Sequence, residues 1–209
     1  EGGAEGNIRF LKNITGMWLL ERCRAAWKKE GRKYTYPQIV SMMEDVEPFR
    51  CFIDPDDPAF ANPDDMPTAI REYCSEHGEV PPSGDAEFIR CIFESLALKY
   101  RLVLKHLREL SGKDIERLHV IGGGSLNAAL DQMIADSLGI PVIAGPAEAT
   151  TAGNLMAQFV GLGFADSMSG MRKALASDSS LRRFEPVNKG IWDAAYQRFL
   201  RITKDITRL

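Results

Sequence analysis

The sequence lacks the features of several specialised protein classes. No apolar run approaches the roughly 20 residues that a membrane-spanning helix needs, and no signal peptide opens the chain. Basic residues are not in excess: the formal net charge is −3, and no basic stripe is apparent, which argues against a nucleic-acid partner. The composition therefore predicts a soluble, cytoplasmic protein that binds neither nucleic acid nor membranes.

Histidine and cysteine are scarce, and their spacing does not indicate a metal site. The three histidines are isolated, so neither a zinc site nor a Ser-His-Asp triad can be assembled around them. None of the four cysteines has a C-x-x-C partner, which argues against zinc and thioredoxin-type chemistry. Cys74 and Cys91 flank a turn at Pro81-Pro82 and are candidates for a disulfide, but cytosolic thiols are mostly reduced. We expect four buried or half-buried thiols and no bound metal.

The first half of the chain predicts helices separated by a proline-rich loop. Apolar residues recur at helical spacing in four segments, 13–30, 36–47, 66–77 and 85–110. Between the second and third segments, Asp54, Asp56 and Asp57 resemble the start of a calcium loop. Because Pro55 and Pro58 interrupt that pattern, we assign these carboxylates to turns and helix capping.

After residue 112 the pattern changes to that of an α/β protein. A short apolar run ends at three consecutive glycines, and a helical pattern follows at once. The predicted order is strand 118–121, helix 125–138, strand 141–144 and helix 148–162. Two parallel strands joined by a crossover helix account for this order. Two further helices are predicted, over 167–176 and 188–206.

The three glycines, Gly122, Gly123 and Gly124, are the most informative local feature. Glycine costs conformational entropy, so three in a row indicate that something approaches the backbone closely. A dinucleotide-binding fingerprint would need a glycine where Asn127 stands, and no P-loop Gly-Lys-Ser/Thr follows. A ligand-free tight turn stays open, although one glycine would suffice for it. The alternative is a nucleotide across the strand end, with backbone N–H groups near phosphate and the Asn127 amide near the ribose or base.

Five blocks of sequence in a fixed order resemble the C-terminal half of the FGGY carbohydrate kinases. They are residues 11–20, 53–57, 90–98, 118–127 and 144–154, and the likeness fades after about residue 160. The resemblance implies an actin-like ATPase fold, in which two ribonuclease-H-like lobes clasp ATP and sugar. It also implies transfer of the γ-phosphoryl group of ATP to a sugar hydroxyl, with Mg²⁺ as the metal.

The resemblance also implies roles for individual residues. Gly122, Gly123 and Gly124 would lie against the adenosine and phosphates of ATP, with Asn127 near the ribose or base. Asn13 matches a position on the first helix that reaches the sugar. Glu21, on the same helix, stands where the family is expected to have a glutamine near the nucleotide, and a carboxylate there is unfavourable unless Mg²⁺ or a base amino group is close.

The general base in this family is an aspartate of the N-terminal lobe, so the resemblance places no catalytic residue and no metal ligand in this chain. The chain begins at Glu1-Gly2-Gly3, and we expect a fragment: residues 1–209 as one helix-rich C-terminal lobe, inactive alone, with part of its sheet missing. Exposed strand edges would then favour a dimer. Two alternatives stay open, a family member acting on a different sugar or polyol, and a non-catalytic nucleotide-binding or assembly module.

Overall fold

The computed structural model describes residues 10–167, 169–170 and 181–203. The chain divides into two compact units, one formed by Glu1–Lys113 with Asn188–Leu209 and the other by Asp114–Val187. No helix in the described residues combines the length and apolarity that crossing a bilayer requires.

The first unit is helical. Its helices are α1 (Trp18–Lys29), α2 (Tyr36–Glu44), α3 (Met66–Glu76), α4 (Asp85–Ser111) and, after the second unit, α7 (Lys189–Ile202). Local sequence explains their ends: the Asp65 carboxylate accepts the Thr68 N–H at the start of α3, and Gly112 (φ 63°) ends α4 in the left-handed conformation. Apart from the start of α1, these helices lie close to the segments that periodicity predicts.

The long helix α4 forms the centre of this unit. It contacts α1, α2 and α7, and the middle of the helix is buried on almost every face from Phe88 to Lys99. The buried segment 51–54 lies beside it, where the Ile53 N–H donates to the Ser95 hydroxyl at 3.0 Å. The core of the unit therefore includes part of the loop between α2 and α3 as well as the helices.

Arg198 ties α7 to the rest of the first unit. Its guanidinium donates to the carbonyls of Phe49 (2.7 Å) and Arg50 (2.6 Å) and to the Glu79 carboxylate. Glu79 in turn accepts the Phe52 N–H at 3.0 Å. The terminal helix predicted over 188–206 is confirmed as α7 (Lys189–Ile202). Residues 204–206 lie outside the described part.

The second unit is an α/β structure. Its strands are β1 (Leu118–Val120), β2 (Val142–Ala144) and β3 (Arg182–Phe184), and its helices are α5 (Ala128–Leu138) and α6 (Ala149–Gly161). β1 pairs with β2 in parallel, with Leu118 opposite Val142, which confirms the predicted crossover. β3 pairs antiparallel with β2. The sequence analysis missed β3, because Arg-Arg-Phe shows no apolar alternation.

Two predicted helix starts are wrong. α1 begins at Trp18 instead of residue 13, because the Thr15 N–H donates to the Asp56 carboxylate (2.7 Å) and holds the preceding residues outside the helix. α5 begins at Ala128 instead of residue 125, because Gly122–Leu126 forms a 3₁₀ helix first. The helix predicted over 167–176 lies mostly outside the described residues.

Candidate nucleotide-binding turn

The glycine turn, Gly122–Leu126, lies where the two sequence blocks of the second unit, 118–127 and 144–154, meet. One residue separates β1 from Gly122, whose φ of 72° is a left-handed conformation that favours glycine. The Gly122 N–H donates to the Pro146 carbonyl at 3.3 Å, and the Gly145 N–H donates to the Val120 carbonyl at 2.8 Å. The ends of the two parallel strands are therefore held side by side.

Hydrogen bonds fix the 3₁₀ helix that follows. The buried Ser125 hydroxyl donates to the Gly122 carbonyl at 2.8 Å, and the Arg182 guanidinium donates to the Ser125 carbonyl. The sequence analysis did not find Arg182, because it lies 57 residues along the chain in the strand that was missed. These hydrogen bonds therefore fix the conformation of the turn without a ligand.

The backbone conformation requires glycine at position 122, and neighbouring atoms leave room for a Cβ at all three positions. A Cβ at Gly122 would lie 3.9 Å from the Ala147 carbonyl, and one at Gly124 would lie 3.4 Å from Val120 Cγ1. A Cβ at Gly123 would meet nothing within 4 Å, and the residue is exposed. Neighbouring atoms therefore do not require a glycine at position 123, and the open space leaves room for a ligand to contact the main chain.

Asn127 both caps α5 and presents a polar group without a partner. Its Oδ1 accepts the Leu130 N–H at 3.2 Å, which satisfies a free donor at the helix start. Its Nδ2 is buried and has no hydrogen-bond partner in the described residues. A buried amide donor of this kind is costly unless something accepts from it. In this conformation Nδ2 is closed to solvent, so a ligand reaches it only if the Asn127 side chain or its surroundings shift.

Asp131, one turn further along α5, is a buried carboxylate that the sequence analysis missed. Only 1% of the residue is exposed, and its Oδ2 has no partner among the described residues. Burial raises the pKa of Asp131 to about 6, and the positive charge of Arg182 opposes that rise. An acidic residue on the apolar face of α5 was the available signal.

The other two predicted site residues belong to the first unit. Asn13 is exposed and precedes α1, so its predicted position on the first helix is wrong. Glu21 is on α1 as predicted, and its exposed carboxylate accepts from Arg24 and from the Tyr36 hydroxyl, each at 2.8 Å. Arg24 therefore compensates the negative charge of Glu21.

Comparison with known proteins assigns the family. Residues 1–162 match the model of the C-terminal domain of the FGGY family of carbohydrate kinases. The chain belongs to that family. Among curated FGGY relatives, the rhamnulokinase of Bacteroides thetaiotaomicron is 52% identical over 199 residues, which are 95% of this chain and 40% of the relative. The rhamnulokinase of Pectobacterium carotovorum is 41% identical over 208 residues, which are 99% of this chain and 41% of that protein.

The fold agrees with this assignment. The xylulose kinase of Rhodospirillum rubrum superimposes with a TM-score of 0.55 at 17% identity, covering 88% of this chain and 36% of that structure. The chain therefore has the FGGY, actin-like ATPase fold, in a helix-rich form with a small sheet. It spans about two fifths of the length of the curated relatives that it matches.

Proposed function

We propose that this chain is the C-terminal, ATP-binding lobe of a kinase that phosphorylates L-rhamnulose, with Mg²⁺ on the nucleotide. The observation that carries the proposal is the open backbone at Gly123, in a chain 52% identical to a rhamnulokinase. That identity favours L-rhamnulose over another sugar. A cytoplasmic location, as the composition predicts, is part of the proposal.

The glycine turn would bind the nucleotide through its main chain. The Gly122 N–H is already bonded to the Pro146 carbonyl, but Gly123 and Gly124 are exposed, and without side chains there a phosphate or ribose can approach the main chain closely. Asn127 Nδ2 would donate to the ribose or base, which would satisfy its unpartnered hydrogens. Asn13 would contact the sugar, and Glu21, paired with Arg24, would lie near the nucleotide.

Phosphoryl transfer depends on positioning the reactants and stabilising charge. Within the proposal, Mg²⁺ neutralises charge on the phosphates, and an aspartate outside this chain is the general base. The 209-residue chain alone would therefore bind nucleotide without turning over. Robust phosphorylation of L-rhamnulose by the isolated chain would show that the general base does not lie outside it.

Nucleotide titration of the isolated chain tests the binding site. We expect weak binding of ATP and ADP, and we expect Gly123→Val to abolish it, because the valine side chain would fill the open space that the ligand needs. Gly190→Val is the matched control, since its Cβ also meets nothing within 4 Å but it lies at the start of α7. Equal affinity in both variants would exclude the glycine turn, and no binding at millimolar nucleotide would favour a non-catalytic assembly module.

A chimera tests whether this chain serves as the ATP-binding lobe of a sugar kinase. In it, this chain replaces the matching 199 residues of the Bacteroides thetaiotaomicron rhamnulokinase. We expect ATP-dependent phosphorylation of L-rhamnulose that Gly123→Val removes and Gly190→Val preserves. A folded chimera that binds L-rhamnulose but transfers no phosphate would contradict the assignment of this chain as the ATP-binding lobe.

Edge pairing is a further part of the proposal. In the described sheet, β1 and β3 are edge strands, and unpaired edges tend to associate with a second chain. We therefore propose that the isolated chain dimerises through this sheet. A strictly monomeric sedimentation profile at high concentration would contradict it.

A further inference from the structure

The sequence around the glycine turn contains no basic side chain of its own. No lysine or arginine occurs between residues 118 and 171, the stretch that holds β1, the 3₁₀ helix, α5, β2 and α6. Arg182 enters this region from outside the stretch, because β3 pairs with β2 and places Arg182 opposite Ala144, at the end of β2 that adjoins the turn. In the described part of the second unit, Arg182 is therefore the cation that the fold brings to the turn.

Arg182 is held against the turn by a hydrogen bond. Its Nη2 donates to the Ser125 carbonyl, and the buried Ser125 hydroxyl donates to the Gly122 carbonyl at 2.8 Å. The guanidinium carbon lies 5.7 Å from the centre of the Phe184 ring. Arginine carries its N–H donors in a rigid fork, so the exposed Arg182 can hold the turn with one nitrogen and offer others to an anion.

Asp131 shares the electrostatic field of Arg182. It lies in the first turn of α5 with 1% of its surface exposed, and its Oδ2 has no partner among the described residues. Burial raises the pKa of Asp131 to about 6, and the positive charge of Arg182 opposes the rise. A carboxyl group that titrates close to neutral pH is thus coupled to the cation of the turn.

The surrounding elements bring few other charges to Asp131. The 3₁₀ helix, β2 and β3 pack against α5, and the first two have no titratable side chain. On β3, Arg183 faces the side opposite to Arg182 and pairs with the exposed Glu185 carboxylate. On α5 itself, Asp136 lies more than one turn away and accepts two hydrogen bonds of its own. The charge at the turn is therefore set by Arg182 and Asp131.

We propose that Arg182 supplies the positive charge that the glycine turn offers to the nucleotide phosphates, and that the protonation state of Asp131 sets how much of that charge the nucleotide meets. This proposal rests on the proposed function, because it concerns the same turn. A protonated Asp131 leaves the Arg182 charge uncompensated, which favours phosphate binding. An ionised Asp131 compensates that charge, so the affinity falls as the pH rises. Asp131 acts through Arg182 and does not touch the nucleotide.

Nucleotide titrations of two arginine variants test the role of Arg182. We expect Arg182→Gln to weaken ATP and ADP binding about tenfold, the scale of one charge-assisted hydrogen bond, and to leave the binding of adenosine, which has no phosphate, unchanged. Arg183→Gln, the matched control on the same strand, should bind all three ligands as the unchanged chain does. NMR chemical-shift titration follows these affinities into the millimolar range.

The outcomes separate this proposal from the proposed function. Failure of the unchanged chain to bind any of the three ligands would contradict both the nucleotide turn and this use of Arg182. Normal ATP binding by a folded Arg182→Gln variant, or equal losses for ATP and adenosine, would overturn the role of Arg182 alone. Circular dichroism shows whether each variant folds.

The ratio of ATP affinities between Asp131→Asn and the unchanged chain tests the role of Asp131, because the titration of ATP itself cancels in the ratio. We expect a ratio near one at about pH 5 that rises to about threefold or more at about pH 8, since Asp131 loses its proton near pH 6. Glu185→Gln, an exposed carboxylate removed in the same way, should give a ratio near one throughout. A flat ratio for Asp131→Asn would overturn the proposal.

A measurement on the unchanged chain needs no variant to fold. The carboxyl NMR signal of Asp131 should titrate at a higher pH when ADP is bound, because an anion beside Arg182 disfavours a second negative charge there. An equal or lower midpoint in bound ADP would show that Asp131 and the nucleotide are not coupled.

Discussion

Lys99 Nζ donates to Asp54 Oδ1 at 2.6 Å, and the lysine side chain has no exposure to solvent. The same ammonium lies 3.3 Å from Asp56 Oδ2, while Asp56 Oδ1 accepts the Thr15 N–H at 2.7 Å. A lysine of α4 thus neutralises two carboxylates of the 54–57 loop and, through Asp56, holds the segment before α1. That segment carries Asn13, the residue proposed to reach the sugar.

The first prediction concerns this buried ion pair. Lys99→Met should lower the free energy of unfolding by about 3–5 kcal/mol, because it leaves the Asp54 carboxylate buried without its cation. Lys105→Met, the same change on the exposed face of α4, removes only a 3.8 Å surface pair with Glu109 and should cost less than about 0.5 kcal/mol. Urea unfolding followed by circular dichroism measures both, and similar losses would disprove the role of the pair.

Glu94 gives a prediction about pH. Burial raises its pKa from 4.5 to about 7, and Arg90 and the Phe49 N–H oppose that rise only in part. Since the folded state holds the proton more tightly than the unfolded state, the stability from Glu94 is full below about pH 4.5. That stability is lost as the pH rises through about 7.

Glu94→Gln isolates this effect because glutamine stays uncharged. Relative to the unchanged chain, the variant should gain about 3 kcal/mol of unfolding free energy between pH 4.5 and pH 8, as the shift in pKa requires. Glu109→Gln, an exposed glutamate on the same helix, should show no such gain. Urea titrations at several pH values make the comparison, and a flat difference for Glu94→Gln would show that its carboxyl is not held protonated by burial.

The glycine turn gives the third prediction, on stability alone. Gly122→Ala should cost about 1–2 kcal/mol, because alanine is strained at a φ of 72°. Gly123→Ala should cost nothing and gain up to about 1 kcal/mol, because its Cβ meets open space and alanine reduces the freedom of the unfolded chain. Thermal unfolding of the two variants is the measurement. A loss at Gly123 equal to that at Gly122 would mean that packing, and not a ligand, requires the second glycine.

Local periodicity was sufficient to predict most of the fold. The apolar face of α4 repeats over 27 residues, and the short strands β1 and β2 are bounded by glycine and proline, so their type and order follow from the sequence. The start of α1 does not follow, because it is set by a hydrogen bond from Thr15 to Asp56, 41 residues away. β3 was missed for a similar reason: its own three residues have no strand pattern, and the strand is defined by its pairing with β2.

The residues of the candidate site also divide into those that the local sequence reveals and those that only the fold reveals. Gly123 and Asn127 could be selected from their own sequence, because glycine repeats and capping residues act within one turn of the chain. Lys99 and Arg182 could not, since each is defined by a partner more than 40 residues distant. The meeting of Cys51, Cys74 and Cys91 in the core is the clearest case, because their intervals of 23 and 17 residues predict no contact, and only the packing of α3 against the 51–54 loop and α4 brings their sulfurs together.

The fourth prediction separates the two roles of Asn127. Asn127→Ser keeps an oxygen that can accept the Leu130 N–H, and serine and asparagine cap helices about equally, so the unfolding free energy should change by less than about 0.5 kcal/mol. The variant loses the Nδ2 donor, which should weaken ATP binding about threefold to tenfold, the worth of one hydrogen bond. Asn127→Ala, the control, should lose both the cap, at about 1 kcal/mol, and the donor. Calorimetric titration with ATP, set beside urea unfolding, distinguishes the roles: if Asn127→Ser bound ATP as tightly as the unchanged chain, Asn127 would be a helix cap and no more.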